Sequence, residues 1–306
     1  MATVRQLSGD GEAGGCVTPK SQLADAVAAG GSLTIGGDLP VNRVGFGTLQ
    51  LCGPQGWGPS RDPDNAISLL RLAVDAGINL LDTADAYGPY IAEDLIAEAL
   101  YPYPDNLVIA TKGGQVRGGP NRYTPLGRPE YLRQCVEMSL RRLRLDRIDL
   151  YQLHRIDPSV PLEDQFGLLR EMQLEGKLRH IGLSEVNLEE TRKIRSIVEV
   201  VSVQNLYNLA DRHHDPVRRL CEENGLTFMP WYPLANGSLS EPGGLLSEIA
   251  ARHGAEPAQI ALAWILQGSP STVLIAGTSS QHHLEQNVLA AAIKLDDAEV
   301  DLLNAL

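Results

Sequence analysis

Short apolar runs alternate with longer amphipathic segments along the chain from residue 43 onward. Each run is apolar at nearly every position, which is typical of a strand buried on both faces of a parallel sheet. The runs with this character are 44–47, 79–82, 107–111, 148–153, 180–183, 200–204, 226–231 and 272–275. The pattern therefore predicts eight parallel strands joined by helices.

The segments between these runs carry the signals of helix boundaries. Asp62 can cap a helix whose first residue is Pro63, and Gly77 follows its last turn. The segment from residue 129 places its apolar residues on one helical face: Leu132, Val136, Leu140 and Leu143. Asp211 is predicted to cap a later helix that ends at Gly225.

Eight strands with crossover helices in about 270 residues predict an α/β fold, a (β/α)8 TIM barrel. A doubly wound open sheet is the alternative, but no GxGxxG phosphate loop follows any strand. Ahead of the barrel, two short apolar runs flank Gly36 and Gly37, which predicts a hairpin. Residues 1–31 are rich in glycine and alanine. We expect them to form a flexible N-terminal extension, in which 22–29 could be a short helix, followed by a single barrel domain, 32–306.

Charge and composition exclude several classes of protein. The formal net charge of −12 argues against nucleic acid and anionic membranes as partners, because both favour a positive surface. No run approaches the roughly 18 apolar residues of a membrane span, so a cytoplasmic protein is expected. A monomer is favoured over an oligomer. The four cysteines form no CxxC pair and the histidines have no HExxH spacing, so no metal site is predicted. His213 and His214 are adjacent, and adjacent residues on a helix point in different directions.

Polar side chains follow several predicted strands, at the end where a barrel carries its active site. Asp82 ends the second strand, Lys112 the third and His154 the fourth, and Tyr87 follows Asp82 by five residues. Singly, each has an ordinary interpretation as a cap, a surface amine or a buried histidine. Together, an acid, an amine and an imidazole beside a phenol favour a catalytic site.

The chemistry of these groups suggests a proton donor. An ammonium beside a phenol lowers the phenol's pKa from about 10, and a carboxylate keeps that ammonium charged. The phenol of Tyr87 could then protonate a developing alkoxide, and Trp231 could stack on a planar ring. This outline fits reduction of a carbonyl by a nicotinamide hydride. An isomerase or aldolase that uses Lys112 as a Schiff-base amine is an alternative, and it requires Lys112 to be free of an acid partner.

A series of motifs resembles the aldo-keto reductase family over nearly the whole chain after residue 32. The motifs are GFGTLQL (45–51), LLDTADAYG (80–88), IATKGG (109–114), DLYQLHR (149–155), RHIGLSEVN (179–187), VQNLYN (203–208), WYPL (231–234) and IAGTSSQHHLEQN (275–287). The resemblance implies that Tyr87 is the general acid, that Lys112 lowers its pKa and that Asp82 anchors Lys112. It also implies that His154 orients the carbonyl.

The resemblance further implies a set of cofactor-binding residues at the strand ends and in the loops after them. They are Gly47, Thr48, Asp82, Ser184, Glu185, Gln204, Trp231, Tyr232, Pro233, Leu234, Asn236, Gly277, Thr278, Ser279, His283, Gln286 and Asn287. Glu185 stands where many members have Asn, and Gln286 replaces a common Glu. Gly277 and His283 stand where many members have Lys and Arg facing a 2′-phosphate. The expected cofactor is NADPH, held by hydroxyl groups and helix-start N–H groups, with NADH as the alternative.

Within the family, several segments resemble the bacterial pyridoxal reductases (pyridoxine 4-dehydrogenases). These segments are VNRVGFGTLQLCGP (41–54), GPSRD (58–62), YGPY (87–90), EALYPYPDNL (98–107) and IALAW (260–264). The implied substrate is a small aldehyde or ketone such as pyridoxal. Trp57 and Tyr90 are predicted to line its pocket, with ordinary surface packing as the alternative. The alternative function is a cofactor-sensing regulatory or binding protein on the same barrel.

Overall fold

The computed structural model describes residues 18–235, 239 and 243–306. Its strands are β1 (Ser32–Ile35), β2 (Leu39–Asn42), β3 (Val44–Gly47), β4 (Leu80–Asp82), β5 (Val108–Gly113), β6 (Gln115–Gly119), β7 (Arg122–Pro125), β8 (Ile148–Leu153), β9 (Leu178–Ser184), β10 (Ser202–Gln204), β11 (Thr227–Phe228) and β12 (Leu274–Gly277). An eight-stranded sheet has the order β11-β10-β9-β8-β5-β4-β3-β12, and its neighbouring strands are parallel.

Helices cover the outside of this sheet. They are α1 (Lys20–Ala29), α2 (Pro63–Asp75), α3 (Ile91–Leu100), α4 (Pro129–Leu143), α5 (Leu162–Leu174), α6 (Leu188–Arg195), α7 (Asp215–Glu223), α8 (Gly244–His253), α9 (Pro257–Gln267), α10 (Gln281–Leu289) and α11 (Asp297–Asn304). Short 3-10 helices occupy Leu49–Leu51, Pro54–Gly56 and Ala290–Ala292. All eight predicted parallel strands are present, and strands such as β3, β4, β5 and β8 are buried at nearly every position, which explains why the pattern found them.

The sheet curls until its two edge strands meet. A parallel bridge joins Phe228 of β11 to Thr272, just before β12. The N–H of Phe228 donates to the carbonyl of Ser271 at 3.0 Å, and the N–H of Val273 donates to the carbonyl of Phe228 at 2.9 Å. The predicted (β/α)8 barrel is therefore confirmed, and the open doubly wound sheet is not formed.

The predicted helix boundaries around α2 are also confirmed. Asp62 caps this helix by accepting from the N–H of Asn65 at 3.0 Å, and Pro63 is its first residue. Gly77 follows with a φ of 92°, a left-handed conformation that favours glycine. The predicted apolar face of α4 packs into the core.

The predicted hairpin forms and closes the N-terminal end of the barrel. Strands β1 and β2 pair antiparallel, with Ile35 opposite Leu39. Both side chains are buried in a cluster with residues of the barrel strands, including Leu80, Val108 and Leu150. The hairpin leaves the opposite, C-terminal end of the strands free for the polar side chains.

Within the expected N-terminal extension, the short helix considered for 22–29 is present, and residues 20–29 are packed and not flexible. This segment forms α1, and its apolar residues Leu23, Ala26 and Val27 are buried because their spacing places them on one helical face. Lys20 also pairs with Asp75 of α2 at 2.6 Å. Residues 1–17 lie outside the part of the chain that the structure describes, and the expected domain division stays a prediction.

A second difference lies in the loop after β5. The glycine-rich segment there forms the antiparallel hairpin of β6 and β7, which the sequence pattern did not predict. Arg117 holds it against the rim of the barrel: its Nη1 donates to the carbonyl of Gly56 at 2.8 Å and to that of Ala86 at 2.7 Å. These long-range contacts have no signature in the local sequence.

Candidate active site

The parallel register aligns the C-terminal ends of the strands at one rim. Gly277 of β12 pairs with Gly47 of β3, and Gly47 pairs with Asp82 of β4. Thr48 fixes the backbone at this point, because its N–H and its hydroxyl both donate to the carbonyl of Asp82, at 3.0 and 3.1 Å. A Cβ on Gly277 would lie 2.7 Å from the carbonyl oxygen of Gly47, so this close strand approach requires glycine.

Lys112 is the centre of the polar cluster at this rim. Its side chain is fully buried, and its Nζ donates to both carboxylate oxygens of Asp82, at 2.9 and 2.7 Å. The same Nζ donates to the backbone carbonyl of Thr83 at 2.8 Å and lies 3.3 Å from the hydroxyl of Tyr87. Burying an ammonium is costly unless it is paired and hydrogen bonded, and these contacts satisfy that requirement.

Tyr87 and His154 complete the predicted group of four. The ring of Tyr87 meets the ring of His154 edge-on, with centroids 5.8 Å apart and an interplanar angle of 75°. Tyr87 is carried by a tight turn in which Gly88 has a φ of 106° and packs against Ile91. The structure thus brings together all four residues that were predicted to be catalytic.

Burial sets the protonation states of these groups. Burial raises the pKa of Tyr87, and the charge of Lys112 lowers it only in part, so Tyr87 carries its proton at neutral pH. Burial opposes the charge on Lys112, but the charge and hydrogen bonds of Asp82 together with the contribution of Tyr87 outweigh burial, and the pKa of Lys112 lies above its usual value. Burial, together with the charges of Lys112, Arg155 and Arg117, holds the pKa of His154 well below its usual value. Lys112 therefore acts on Tyr87 in the predicted direction, but the net shift of Tyr87 is upward because burial dominates.

Two further predicted residues lie on adjacent strands beside this cluster. Ser184 of β9 pairs in register with Gln204 of β10. The Nε2 of Gln204 donates to Oδ1 of Asp82 at 2.8 Å, and the Oγ of Ser184 accepts from Nη1 of Arg155 at 2.9 Å. These contacts fix both side chains and leave the Ser184 hydroxyl proton and the Gln204 carbonyl oxygen available to a ligand.

Glu185 joins three segments of the rim. Its Oε2 accepts from the indole N–H of Trp231 and from the N–H of Leu206, the latter at 3.3 Å, while its Oε1 lies 2.8 Å from Nε2 of His214. Arg155 also lies 3.7 Å from this carboxylate. Burial raises the pKa of Glu185, but the hydrogen bonds of His214 and Trp231 and the charge of Arg155 together outweigh burial, and the pKa lies below its usual value. Glu185 thus holds Trp231 in place, a role that its sequence position did not suggest.

The loop after Trp231 and the start of α10 carry the remaining predicted cofactor residues. Tyr232 has a φ of 62° and an exposed side chain, and Pro233 and Leu234 follow it. Asn236 lies outside the described residues. Ser280 caps α10 by accepting from the N–H of His283, and the Oγ1 of Thr278 accepts from the N–H of Ser280. Ser279, Gln286 and Asn287 lie on this same segment, with Ser279 joined through its carbonyl to Asn65 of α2.

The two predicted pocket residues have different surroundings. Trp57 forms a bridge with Gly88, directly after Tyr87, and its ring lies 5.4 Å from the guanidinium of Arg117. Tyr90 is 48% exposed and packs on Arg142 of α4, 4.3 Å from its guanidinium. The placement favours Trp57 as a pocket residue over Tyr90.

Sequence reasoning missed several groups at the rim. Arg155 follows His154 directly and contacts Ser184, so its position beside a predicted catalytic residue was the available signal. Arg117 is brought in by the unpredicted hairpin, and the third bond of Lys112 goes to a backbone carbonyl. The position of Arg117 and the backbone bond of Lys112 could not be found from side-chain type and spacing.

Comparison with known proteins agrees with this geometry. The family model described as Aldo/keto reductase family matches residues 43–306. The chain belongs to the aldo/keto reductase family. It is 48% identical to an uncharacterised oxidoreductase of Schizosaccharomyces pombe over 278 residues, covering 91% of this chain and 90% of that protein. It is 41% identical to pyridoxine 4-dehydrogenase of Escherichia coli over 276 residues, covering 88% and 96%.

Solved structures of the same fold add a further comparison. A thermostable aldo-keto reductase in complex with the inhibitor epalrestat matches with a TM-score of 0.79 and 30% identity, covering 90% of this chain and 98% of that one. An aldo-keto reductase of Klebsiella pneumoniae in complex with NADPH matches with a TM-score of 0.76 and 25% identity, covering 90% and 94%. The chain is therefore an oxidoreductase of the aldo-keto reductase type. Within its described part, no helix has the length and apolarity to cross a membrane.

Proposed function

We propose that this aldo-keto reductase uses NADPH to reduce a small aldehyde or ketone, with Tyr87 as the proton donor. The observation that carries the proposal is the position of Lys112 Nζ, which bonds both oxygens of Asp82 and lies 3.3 Å from the hydroxyl of Tyr87. The resulting charge pair is buried beside a phenol that holds its proton at neutral pH.

Each of the four residues then has a definite task. The hydroxyl of Tyr87 donates its proton to the carbonyl oxygen as negative charge develops there. Lys112 stabilises the phenolate that forms, and Asp82 keeps Lys112 charged and in place. His154, neutral because of its lowered pKa, has a buried Nδ1 without a hydrogen-bond partner among the described residues, and its ring lies against Tyr87 where it can orient the carbonyl.

The residues at the rim fit a nicotinamide cofactor, which supplies a hydride when it is bound. A carboxamide needs one donor for its oxygen and one acceptor for its NH₂ group. The hydroxyl of Ser184 and the carbonyl oxygen of Gln204 provide these, and Trp231 provides a flat face fixed by Glu185. Glu185 itself is occupied by Trp231 and His214, so it does not take the place of the Asn found in many family members.

NADPH is favoured over NADH by the start of α10. This helix has a capped N-terminus next to three hydroxyl residues, and such a terminus stabilises phosphate through free N–H groups and the helix dipole. His283 lies in the first turn and is exposed. Neither Gly277 nor His283 adds a permanent cation, so we expect a moderate preference with measurable use of NADH.

Pyridoxal is the substrate we propose, with pyridoxine as the product. The proposal is supported by 41% identity to pyridoxine 4-dehydrogenase over most of both chains. It is also supported by Trp57 beside the Tyr87 turn, because an aromatic ring at this point could stack on a pyridine ring. The Schiff-base alternative requires a Lys112 without an acid partner, and the two bonds to Asp82 remove that condition.

A substrate screen tests the proposal. Oxidation of NADPH is followed with pyridoxal, simple aldehydes and a ketosteroid, and each reaction is repeated with NADH. We expect pyridoxal to give the highest kcat/KM. Turnover of simple aldehydes but not of pyridoxal would support the reductase activity and rule out pyridoxal as the substrate. Tight NADPH binding with no turnover across the whole panel would instead support the cofactor-sensing alternative.

A further inference from the structure

Two histidines and a carboxylate converge beside Trp231. The side chains of Glu185, His213 and His214 each present a ligand atom, and these atoms all lie within 4.8 Å of one another. The two imidazole rings have centroids only 3.8 Å apart, and Nε2 of His214 is 2.8 Å from Oε1 of Glu185. The residues come from different parts of the rim, since Glu185 follows β9 and the histidines precede α7.

The backbone explains this convergence. His213 and His214 lie in the turn before α7, which begins at Asp215, so the directions of helical neighbours do not apply to them. Glu185 adopts a φ of 57°, a left-handed conformation that is uncommon for a residue with a side chain. This conformation turns its carboxylate toward the loops after β10 and β11.

We propose that Glu185, His213 and His214 bind a single divalent transition-metal ion of the Zn²⁺, Co²⁺ or Ni²⁺ class. Two imidazole nitrogens and one carboxylate oxygen are ligands that these borderline ions prefer. Metal–ligand bonds of about 2.0–2.2 Å require donor atoms that lie on one small sphere, which the measured separations allow after small side-chain movements. Water would fill the remaining coordination positions.

The groups around the three ligands support the proposal. Metal-binding histidines commonly give their second ring nitrogen to a carboxylate, and Asp211 is hydrogen bonded to Nδ1 of His213. Glu185 is oriented in a similar way, because its Oε2 accepts from the N–H groups of Trp231 and Leu206. Its Oε1 is the oxygen that faces His214, and it is therefore the one that would meet the ion.

Access and charge also fit an exchangeable ion. The side chain of His213 is 54% exposed, so an ion can enter from solvent without opening the barrel. Two carboxylates, Glu185 and Asp211, offset the positive charge of the ion. Arg155 opposes it, but this guanidinium lies 3.7 Å away on the Oε2 side of Glu185. We therefore expect a reversible site and not a permanently filled structural one.

Cobalt binding tests the proposal without any enzymatic readout. The chain, freed of any affinity tag and treated with a chelator, is titrated with Co²⁺ while visible absorption and equilibrium dialysis follow binding. We expect one saturable site per chain, and competition of Co²⁺ by Zn²⁺. His213→Ala should weaken binding at least tenfold, and Asp211→Asn should weaken it about tenfold, because the hydrogen-bond acceptor beside Nδ1 of His213 loses its negative charge.

A second histidine pair provides the matched control. His282 and His283 are adjacent and exposed on α10, with ring centroids 5.8 Å apart. His282→Ala should leave Co²⁺ binding unchanged. The proposal would be overturned if His282→Ala and His213→Ala lost Co²⁺ affinity equally. It would also be overturned if the wild type bound Co²⁺ no more tightly than a His213→Ala/His214→Ala variant. Thermal melts show whether each variant is folded, and the exposed His213 variant is expected to melt like the wild type.

Discussion

Lys112 Nζ lies 3.3 Å from the hydroxyl oxygen of Tyr87, at the same time as it bonds both carboxylate oxygens of Asp82. All three side chains are buried, so their mutual electrostatics are screened less than at a surface. Burial alone would make Tyr87 a very weak acid, and Lys112 reduces that penalty. The ion pair therefore makes a buried phenol usable as a proton donor.

Replacing Tyr87 by Phe removes the proposed proton donor and retains the ring. We expect kcat to fall by about 10²- to 10⁴-fold, because the lost group acts mainly in the transition state. The dissociation constant of NADPH, measured by quenching of tryptophan fluorescence, should stay within about twofold of the wild type. Tyr101→Phe, at a half-exposed ring remote from the rim, is the control. Unchanged turnover of Tyr87→Phe would assign proton donation to another group.

Replacing Lys112 by Met leaves the Asp82 carboxylate buried without its partner. We expect a loss of about 3–5 kcal/mol in the free energy of unfolding, measured from urea titrations, together with loss of turnover. The double variant Asp82→Asn/Lys112→Met removes both charges and should recover most of the stability but none of the activity. If the double variant were as unstable as the single one, steric packing and not charge would explain the loss.

The barrel was predictable because a parallel strand covered by helices has few polar positions. Strands such as β5, buried at every position, stand out against amphipathic helices, and capping residues such as Asp62 define the boundaries. Three of the four residues at the rim were predictable for a related reason. A strand end fixes where a polar side chain lies in a barrel, so Asp82, Lys112 and His154 had to meet.

Side-chain contacts between loops could not be predicted in this way. The prediction that Asp211 caps α7 is wrong, because its carboxylate accepts from the N–H of His213 and the helix begins later, at Asp215. That turn brings His213 and His214 together, although neighbours on a helix would diverge. The bond between Glu185 and Trp231 likewise depends on the left-handed backbone conformation of Glu185, the residue directly after β9. Such features arise from backbone conformations that residue type alone does not specify.

Replacing Glu185 by Gln tests its role in holding Trp231. A glutamine replaces one carboxylate oxygen by an NH₂ group, so the two atoms that face Trp231 and His214 can no longer both be acceptors, and the negative charge is lost. We expect the dissociation constant of NADPH to rise about tenfold, which corresponds to the loss of a charge-assisted hydrogen bond of about 1.5 kcal/mol. Tryptophan emission of the free protein should shift as well. Glu189→Gln, at an exposed position of α6, controls for the charge change, and a similar effect there would refute a specific role of Glu185.

Replacing His283 by Arg tests the position of the 2′-phosphate. A permanent cation in the first turn of α10 should strengthen NADPH binding about tenfold and leave NADH binding nearly unchanged. His282→Arg adds the same charge one residue away, on a different face of the helix, and should discriminate less between the cofactors. Binding constants for both cofactors are measured in both variants. If His283→Arg changed the binding constants of NADPH and NADH equally, the 2′-phosphate would have to lie elsewhere.

Asp85 gives a prediction about pH and stability. Burial, reinforced by the charge of Glu93, raises the pKa of Asp85 to about 7, and its Oδ1 has no hydrogen-bond partner among the described residues. A carboxyl whose pKa is higher in the folded than in the unfolded state binds more protons when folded, so stability falls as pH rises from about 4 to about 7. The slope from this group is about 1.4 kcal/mol per pH unit. Urea titrations of Asp85→Asn should show this slope removed and greater stability than the wild type near pH 8. Asp25→Asn, at an exposed position of α1, is the control and should reproduce the wild-type dependence of stability on pH. If Asp85→Asn also kept the wild-type dependence, Asp85 would be ionised throughout this range.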